Sequence, residues 1–365
     1  MTRTSPTVCR VVFGFACLGL VLSGRVLAQA NGDKPTAADE QAVLAATKQG
    51  LQRLDQAGRN WMKNKTCFSC HHQPLPMFAA VEAARVGIHI EAKVLAAQAD
   101  FTHDYFHDRI EPMKAGKHVP GGSSTAGFGL WALMLDRRPA DDTTTATVSY
   151  LLQIQGVVAL NADATAKPPK RTDGPWVPSC TRPPLNSSRV GTTVLALIGM
   201  THYATDDQRD AVEKAAKLAE TWLTKTPMTS TDDRFWRLWG LHRLGGDAPT
   251  IKDARAVLTA AQHADGGWSQ TKDMGSDAYA TGQALYVLRQ TGTPCEDPVA
   301  QRASAYLIRT QHADGSWLVE TRIQAVQPYF DNGDPYEKHQ FLSVAATSWA
   351  TAALAQMLPK VAGCH

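Results

Sequence analysis

The sequence predicts an all-α protein, an (α/α)6 toroid built from six helical hairpins. Apolar residues recur with the 3.6-residue spacing of helices almost throughout, and strand-like alternation is scarce. The heptapeptide QHADGGW at 262–268 returns as QHADGSW at 311–317, a 49-residue offset typical of helical-pair repeats. Helices rich in small residues also alternate with more polar helices along the chain.

The small-residue helices are predicted to line the axis of the ring, because Ala, Gly, Ser and Thr allow helices to approach closely. Most of them follow residues that commonly cap helix N-termini. These predicted caps are Ser123, Ser187, Ser188, Asp232, Asp233, Ser276, Asp277 and Ser343. The inner helices are expected at 76–86, 124–135, 190–203, 234–244, 278–289 and 344–357.

A more polar helix with one apolar stripe precedes each inner helix, which predicts that it lies on the outside of the ring. In the third hairpin, only Gln155 and Gly156 resemble the repeated turn. An open solenoid of the same hairpins is the alternative, but closure of six units covers both terminal faces. The outer helices are expected at 38–62, 91–108, 141–155, 207–225, 249–262 and 297–311.

The repeated Q-x-x-D-G-x-W sequence resembles the QW motif of the squalene–hopene cyclase and terpene cyclase superfamily, whose prenyltransferase/squalene oxidase repeats form an α/α barrel. The resemblance implies structural roles for Gln262, Trp268, Gln311 and Trp317, which in that family tie an outer helix to the neighbouring repeat. The family protonates its substrate with a D-x-D-D motif. The nearest run, at 230–233, lacks the leading Asp, so an ordinary squalene cyclase is not expected.

Residues 1–30 are typical of a secretion signal. Arg3 and Arg10 flank the start, an apolar run follows at 11–22, and Ala28 and Ala30 form an A-x-A cleavage site. We expect the mature chain, 31–365, to be one toroid domain in the periplasm or outside the cell. An uncleaved anchor helix is the alternative, although the apolar run is shorter than the roughly 20 residues that a membrane span needs.

Composition favours a soluble protein that binds a small ligand. Hydrophobic residues make up 44% of the chain, enough for a sizeable core, and the net charge is only +3. Without a basic run interleaved with aromatic residues, nucleic-acid binding is not expected. No segment after the signal is apolar enough to span a membrane. The expected partner is a small-molecule or lipid-like ligand in the central cavity, together with a possible redox partner.

The loop that precedes the first inner helix contains Cys67, Cys70 and His71 in a C-x-x-C-H motif at 67–71. In an exported protein this spacing is typical of covalent haem c attachment, with His71 as the proximal ligand of the iron. A Cys67–Cys70 disulfide or a zinc site that adds His72 are the alternatives. The distal ligand is unassigned. Its candidates are Met77, Met113, His72, His103 and His107.

Three cysteines remain after the haem motif and the signal are set aside. They are Cys180, Cys295 and Cys364, so at most one disulfide can form among them. Their pairing is not predicted.

Two long loops are predicted near the mouth of the cavity. The first, about 156–186, is rich in Pro and positive charge and is expected to cover the mouth, with Trp176 and Arg182 contacting a ligand or simply anchoring the loop. The second, 320–340, mixes aromatic and carboxylate side chains, which suits a carbohydrate or lipid subsite.

The candidates for acid–base catalysis lie at the starts of the last two inner helices. They are Asp277, Tyr336 and His339, each of which could equally be an ordinary cap or loop residue.

Three functions therefore remain open from the sequence. The first is an exported toroid protein with covalent haem c that acts in redox chemistry or electron transfer. The second is a haem-free cyclase-like or lyase-like enzyme that acts on an isoprenoid or polysaccharide. The third is a lipid-binding toroid. The first needs the cysteines and His71 together, the second needs convergent carboxylates in a cavity, and the third needs an apolar cavity without them.

Overall fold

The computed structural model describes residues 39–117, 119–157, 172, 174–179, 182–322 and 329–360. The predicted signal peptide, Cys180 and Cys364 lie outside these residues, as does most of the 156–186 insertion. The described residues form thirteen α-helices, one short 3-10 helix (Glu337–His339) and no β-strand. The helices are α1 (Glu40–Asn64), α2 (Pro74–Ala84), α3 (Ala92–His107), α4 (Ile110–Lys114), α5 (Gly122–Leu135), α6 (Asp142–Ile154), α7 (Arg189–Tyr203), α8 (Asp206–Lys225), α9 (Thr231–Arg243), α10 (Ala248–Ala260), α11 (Ala278–Gln290), α12 (Pro298–Thr310) and α13 (Gln340–Ala355).

The helices form a closed ring of six hairpins. Helices α2, α5, α7, α9, α11 and α13 lie inside, and each packs against the next. Helix α13 packs against α2, which closes the ring and excludes the open solenoid. The outer helices are α1, α3, α6, α8, α10 and α12, and α4 extends the outer wall of the second hairpin. The predicted toroid is therefore confirmed.

The predicted capping of α9 by Asp232 and Asp233 is wrong. The N-cap is Ser230, whose hydroxyl accepts a hydrogen bond from the backbone N–H of Asp233 at 3.0 Å. Because Ser230 is the N-cap, Asp232 is the second residue of the helix, and its side chain is buried. Its carboxyl group is thus available for contacts inside the ring.

The other predicted caps are partly correct. Ser188 caps α7 and Asp277 caps α11 through their side chains. Ser123 and Ser343 instead lie inside α5 and α13, because these helices begin earlier than the sequence suggested.

The Gln–Trp pair of the fifth hairpin links three elements of the ring. Trp268 donates from Nε1 to the carbonyl of Leu258 at 2.8 Å, and its backbone N–H donates to Thr281 Oγ1 at 2.9 Å. The amide of Gln262 donates to the carbonyl of Val299 in α12 at 2.9 Å. Together these bonds join α10, α11 and α12 through one turn.

The same arrangement recurs in the sixth hairpin and closes the ring. Trp317 donates from Nε1 to the carbonyl of Leu307 at 2.9 Å, and its N–H donates to Thr347 Oγ1 at 3.1 Å. Gln311 donates to the carbonyl of Ala46 in α1 at 2.9 Å. The last outer helix is thereby bound to the first.

A third Gln–Trp pair makes the same contacts in the third hairpin, where the sequence showed only the turn. Trp176 donates from Nε1 to the carbonyl of Leu151 at 2.8 Å, and its N–H donates to Thr193 Oγ1 at 3.0 Å. Gln155 reaches the carbonyl of Ala215 in α8 at 2.9 Å. Trp176 is completely buried, so it anchors the insertion.

Aromatic side chains fill the axis of the ring. The ring of Phe78 lies 5.1 Å from that of Trp131, 5.1 Å from Trp349 and 4.9 Å from Tyr286, measured between centroids. Small residues allow the inner helices to close around this cluster. At Gly282, an added Cβ would lie 2.6 Å from backbone atoms of α13.

Among the helices of the described ranges, none combines the length and apolar character needed to cross a membrane.

Replacing a tryptophan of a Gln–Trp pair with alanine should lower the free energy of unfolding by about 3–5 kcal/mol, as for other buried aromatic side chains. We expect this for Trp176→Ala as well as for Trp317→Ala, measured by urea denaturation followed by circular dichroism. Leu218→Ala is the control, because Leu218 is 53% exposed and should change stability by about 0.5 kcal/mol or less. A Trp176→Ala protein as stable as the parent would contradict the stabilising role of Trp176 in the third hairpin.

Candidate functional site at the mouth of the toroid

The N-terminal ends of the inner helices share one end of the ring, which we call the mouth. This follows from six hairpins that run in the same direction around a closed ring. The described part of the insertion lies here, since Ser123 Oγ at the start of α5 donates to the carbonyl of Val177 at 2.7 Å. The C-x-x-C-H loop (67–71) and the 329–339 segment meet at the same mouth, where His72 contacts Asp334.

The C-x-x-C-H loop is held between α1 and α2 by hydrogen bonds. Trp61 donates from Nε1 to the carbonyl of Cys67 at 2.7 Å, and Ser69 N–H donates to Gln73 Oε1 at 2.7 Å. Cys67 is exposed and Cys70 is buried, and no disulfide joins them. No group of three or more His, Cys, Asp or Glu side chains in the described residues is arranged to hold a metal ion.

Two histidines of this loop begin a buried chain of hydrogen bonds. The Nδ1 atoms of His71 and His72 are hydrogen-bonded to each other, and His72 Nε2 lies 2.8 Å from Asp334 Oδ2. Asp334 also accepts from Arg53 at 2.8 Å and from Asn332 Nδ2 at 2.8 Å. The first and last hairpins therefore share one polar network at the mouth.

Stacked aromatic rings fix the two imidazoles. The Trp61 ring lies 4.7 Å from that of His72 with an interplanar angle of 25°, and Phe341 lies 4.9 Å from His71 at 18°. Burial lowers the pKa of both histidines, and for His71 the charges of His72 and Arg182 lower the pKa further. Both rings are thus neutral at neutral pH.

Asp334 is ionised although it is buried. Burial alone would raise the pKa of its carboxyl, but the hydrogen bonds from His72 and Asn332 and the charge of Arg53 hold that pKa below its usual value. The site therefore combines one stabilised carboxylate with two neutral imidazoles.

The other candidate iron ligands pack elsewhere. Met113 is buried beneath Thr147, whose Oγ1 lies 3.6 Å from its sulfur. His103 Nε2 lies 2.7 Å from Asp141 Oδ2, and His107 lies 3.2 Å from a hydroxyl of α6. Met77 is buried at the base of a groove described below. Of the five candidates, His72 is the one in contact with His71.

The three candidate acid–base residues each engage a different partner. Asp277 accepts from the N–H of Ala280 at 2.9 Å, and burial raises its pKa to about 6. Tyr336 OH lies 2.7 Å from Ser316 Oγ. His339 Nδ1 accepts from a backbone N–H of the same loop at 2.9 Å. The geometry thus shows each of these side chains supporting a helix end or a loop.

A buried carboxyl group that the sequence assigned to capping lies at the wall of the mouth. Asp232 accepts from Gln283 Nε2 at 2.7 Å, from Tyr279 OH at 3.2 Å and from Trp236 Nε1 at 3.2 Å. Burial raises its pKa to about 7. Its neighbour Asp233 instead accepts from Ser188 Oγ at 2.7 Å. Asp232 therefore holds a proton up to neutral pH.

A small cavity adjoins Asp232. Its volume is about 10 Å³, which is room for about one water molecule. Leu185 and Asn186 of the insertion cover it, and Asn186 Oδ1 is buried without a hydrogen-bond partner. Phe128, Leu195 and Trp236 form apolar parts of its wall. Asp232 is the one carboxyl group among the residues that line it.

A larger groove of about 680 Å³ lies on the outer wall, between α1 and α3. Met77 and Ala80 form its base, and Leu51 and Leu95 form its sides. Its volume is that of a small-molecule site, but its walls hold none of the candidate residues of the mouth other than Met77.

Sequence reasoning missed the partners of His72. Asp334 was recognised only as part of an aromatic and acidic loop, and Arg53 and Phe341 were not singled out at all. The sequence did offer a signal. Two adjacent histidines precede the first inner helix, and an acidic residue lies in the loop that precedes the last inner helix.

The comparisons with known proteins identify the fold. No protein-family profile matches the chain, and no curated protein matches it. Among solved structures, the type II terpene cyclase MstE from Scytonema aligns with 88% of this chain and 100% of its own, at 13% identity and a TM-score of 0.55.

Two further structures align over a similar span. A possible member of the GH105 family from Salmonella enterica aligns with 88% of this chain and 94% of its own, at 12% identity and a TM-score of 0.53. A variant of the MstE cyclase in complex with its substrate, geranylgeranyl dihydroxybenzoate, aligns with 88% of this chain and 99% of its own, at 15% identity and a TM-score of 0.50. The likeness shows that this chain shares the α/α toroid fold of terpene cyclases and glycosidases.

The buried acid makes stability depend on pH in a definite direction. The folded protein keeps the proton of Asp232 up to pH about 7, whereas an unfolded chain releases it near pH 4. The free energy of unfolding should therefore fall as pH rises between these values, by about 4 kcal/mol from this group. Asp232→Asn should remove this contribution.

Urea denaturation at pH 5 and pH 7.5 tests this prediction. Asp277 and Glu82, whose pKa values burial also raises, act in the same direction, so the difference between parent and variant is the quantity of interest. Asp233→Asn should keep most of the pH dependence of the parent, because burial is the main cause of the raised pKa of Asp232 and the charge of Asp233 is a smaller one. An identical pH dependence in Asp232→Asn and parent would show that Asp232 is ionised in the fold.

Proposed function

We propose that the protein is a toroid enzyme that carries out acid-catalysed chemistry on an isoprenoid or similarly apolar substrate, with Asp232 as the proton donor. The observation that carries the proposal is a buried carboxyl group with a pKa of about 7 in the wall of a small cavity at the mouth, beside the aromatic side chains Phe128 and Trp236. A general acid works best when its pKa is close to the working pH.

The residues around Asp232 suit proton transfer to an alkene. The carboxyl O–H bond breaks, the electron pair of the C=C bond forms a new C–H bond, and a carbocation remains on the substrate. Gln283, Tyr279 and Trp236 donate hydrogen bonds that stabilise the carboxylate left behind. Phe128 and Trp236, which line the cavity, would stabilise the cation through their aromatic rings. Loss of a proton to water from a carbon beside the cation completes the reaction, and Asp232 regains its proton from solvent.

The composition of the cavity favours isoprenoid chemistry over sugar hydrolysis. Glycosidases generally need two carboxyl groups that flank the reacting bond, and Asp232 is the one carboxyl group that lines this cavity. The fold comparison includes a terpene cyclase that binds geranylgeranyl dihydroxybenzoate. Access for such a substrate requires that Leu185 and Asn186 move away from the cavity.

Incubation with polyprenyl substrates, squalene and geranylgeranyl-substituted phenols, tests the enzyme proposal. Cyclised products are measured by gas chromatography with mass spectrometry. Asp232→Asn should lower the rate by about 10²–10⁴-fold, the usual contribution of a general acid. Because the protonated form is active, the rate of the parent should fall as pH rises through about 7.

Asp233→Asn is the matched control, since this carboxylate faces Ser188 and not the cavity. Its rate should stay within a few-fold of the parent. Failure of the parent to convert any of these substrates, or full activity in Asp232→Asn, would reject the proposal.

We propose as a second function that the exported protein carries covalent haem c on the loop 67–71 and exchanges electrons with a redox partner. The supporting observation is the C-x-x-C-H spacing itself, with Cys67 exposed and His71 buried beside the loop, its pKa lowered by burial. Each thiol would add across one vinyl group of the haem to form a thioether. Bound haem supplies one-electron redox chemistry.

The residues around the loop suit this group. His71 would be the axial ligand, and Arg182, which lies close enough to lower the pKa of His71, would pair with a haem propionate. The His71 ring is only 6% exposed, so the haem would replace side chains that now cover it. Met77, Met113 and His103 remain proposals for the distal position.

Expression with a cytochrome c maturation system tests the haem proposal. The protein should be red, and its Soret band should survive acid–acetone extraction because thioether bonds persist after unfolding. Cys67→Ala combined with Cys70→Ala should abolish attachment, whereas Cys295→Ala, which changes a thiol packed near the end of α13, should leave it intact. A colourless parent protein would reject this function.

A further inference from the structure

We propose that the groove between α1 and α3 binds an apolar alcohol of isoprenoid character, whose hydroxyl group pairs with the buried amide of Gln98. This ligand site lies on the outer wall of the ring, away from the mouth. It depends on neither of the functions proposed above, because Asp232 and the C-x-x-C-H loop contribute no residue to its walls.

The groove lies in a seam of the outer wall that is built differently from its neighbours. In three other seams, a glutamine joins adjacent outer helices. Within the described residues no Gln–Trp pair links α1 to α3, because the C-x-x-C-H loop follows α1 where the repeated turn would stand. The two helices enclose a space of about 680 Å³ that reaches inner helix α2. A space of this volume is typical of small-molecule sites.

The interior surface of the groove is apolar. At its base Met77 is buried, and Leu54 of α1 is 2% exposed. Leu51 and Leu95 are half-buried at its sides. A hydrocarbon ligand would remove the exposed parts of these side chains from water, which favours binding.

One buried amide interrupts this apolar surface. Gln98 follows Val94 and Leu95 by four and three residues, so all three lie on the face of α3 that lines the groove. Gln98 is 3% exposed, and its Oε1 is buried without a hydrogen-bond partner among the described residues. An unpaired buried oxygen is unfavourable. A ligand that donates a hydrogen bond to this oxygen would remove that penalty.

Gly58 of α1 gives the amide its place. A Cβ added at Gly58 would lie 2.5 Å from Gln98 Nε2 and 3.2 Å from Gln98 Oε1, so the amide packs directly against α1. Any side chain at position 58 would push the amide away from α1. The sequence therefore has a glycine opposite the buried polar group of the groove.

The charges near the rim favour an uncharged ligand. Arg59 Nε lies 3.0 Å from both carboxylate oxygens of Asp55, and Lys93 Nζ lies 2.7 Å from Glu91 Oε2. A hydroxyl group can donate to an amide oxygen and accept from an amide nitrogen, so it can pair with either end of a glutamine. An anionic ligand would instead use Lys48, which is exposed at the rim.

Equilibrium dialysis with radiolabelled farnesol, an isoprenoid alcohol, tests the proposal. Farnesyl methyl ether cannot donate a hydrogen bond and should bind the parent protein about tenfold more weakly than farnesol. Gln98→Leu should remove this difference between the two probes. Gly58→Ala, which displaces the amide, should weaken the binding of farnesol about tenfold.

Two tryptophan substitutions locate the probe. Leu51→Trp fills the groove and should abolish binding of farnesol. Val257→Trp is the matched control, because Val257 is 55% exposed on α10 and lies outside the groove, so this variant should bind farnesol as the parent does. Should Leu51→Trp fail to fold by circular dichroism, the two probes compared in Gln98→Leu decide the matter.

The outcomes are independent of the chemistry proposed for Asp232, because only binding is measured. Absence of farnesol binding to the parent overturns the proposal, as it would if residues before α1 or a second copy of the chain covered the groove. Binding that Leu51→Trp leaves unchanged also overturns it. Tighter binding of farnesoic acid than of farnesol would overturn the assignment of an uncharged ligand. Binding that is lost in Leu51→Trp, with a preference for the alcohol that is lost in Gln98→Leu, supports the proposal.

Discussion

The ring depends on a side-chain amide that crosses from one outer helix to the backbone of the next. Gln155, Gln262 and Gln311 each make this bond at 2.9 Å. Each glutamine lies at the end of its own outer helix and joins it to the outer helix of the next hairpin, which is not adjacent to it in the sequence. The tryptophan of the same motif binds the outer helix to the inner one, and a threonine of the inner helix receives its N–H. Because Gln311 bonds to α1, the chain closes on itself without a covalent link.

The fold was predictable from the sequence because its determinants are local. Apolar spacing, small-residue helices and the repeated turn all act within one hairpin, and they placed twelve helices close to their observed positions. The third Gln–Trp pair was hidden because the insertion separates Trp176 from Gln155, which stand next to the same turn in space. The capping of α9 was misassigned because Ser230 and two carboxylates compete for one position, and local preference does not decide between them.

The polar network at the mouth was beyond the reach of sequence reasoning. His72 and Asp334 are 262 residues apart and come together only because the ring closes between its first and last hairpins. The sequence identified His71 and the two cysteines, but the carboxylate that binds the neighbouring His72 belongs to a different loop. Asp232 shows the same dependence on the fold, since two of its three partners, Tyr279 and Gln283, belong to α11.

Two buried carboxyl groups at the same mouth are held in opposite charge states by their partners. Asp334 faces a guanidinium and is ionised, whereas Asp232 faces neutral donors and keeps its proton. A cation close to a carboxylate offsets the cost of its burial, and neutral donors offset only part of that cost. The mouth therefore contains one ionised and one protonated aspartate. Since the two side chains are chemically identical, their neighbours determine the difference in charge state.

Aromatic side chains occupy the axis of the toroid within the described residues. Phe78, Trp131 and Trp349 lie in the middle, and at the far end buried Glu82 accepts a hydrogen bond from Gln356 at 2.6 Å. Under the proposed acid chemistry, a substrate would therefore reach Asp232 from the mouth, past Leu185 and Asn186, and its product would leave past the same two residues.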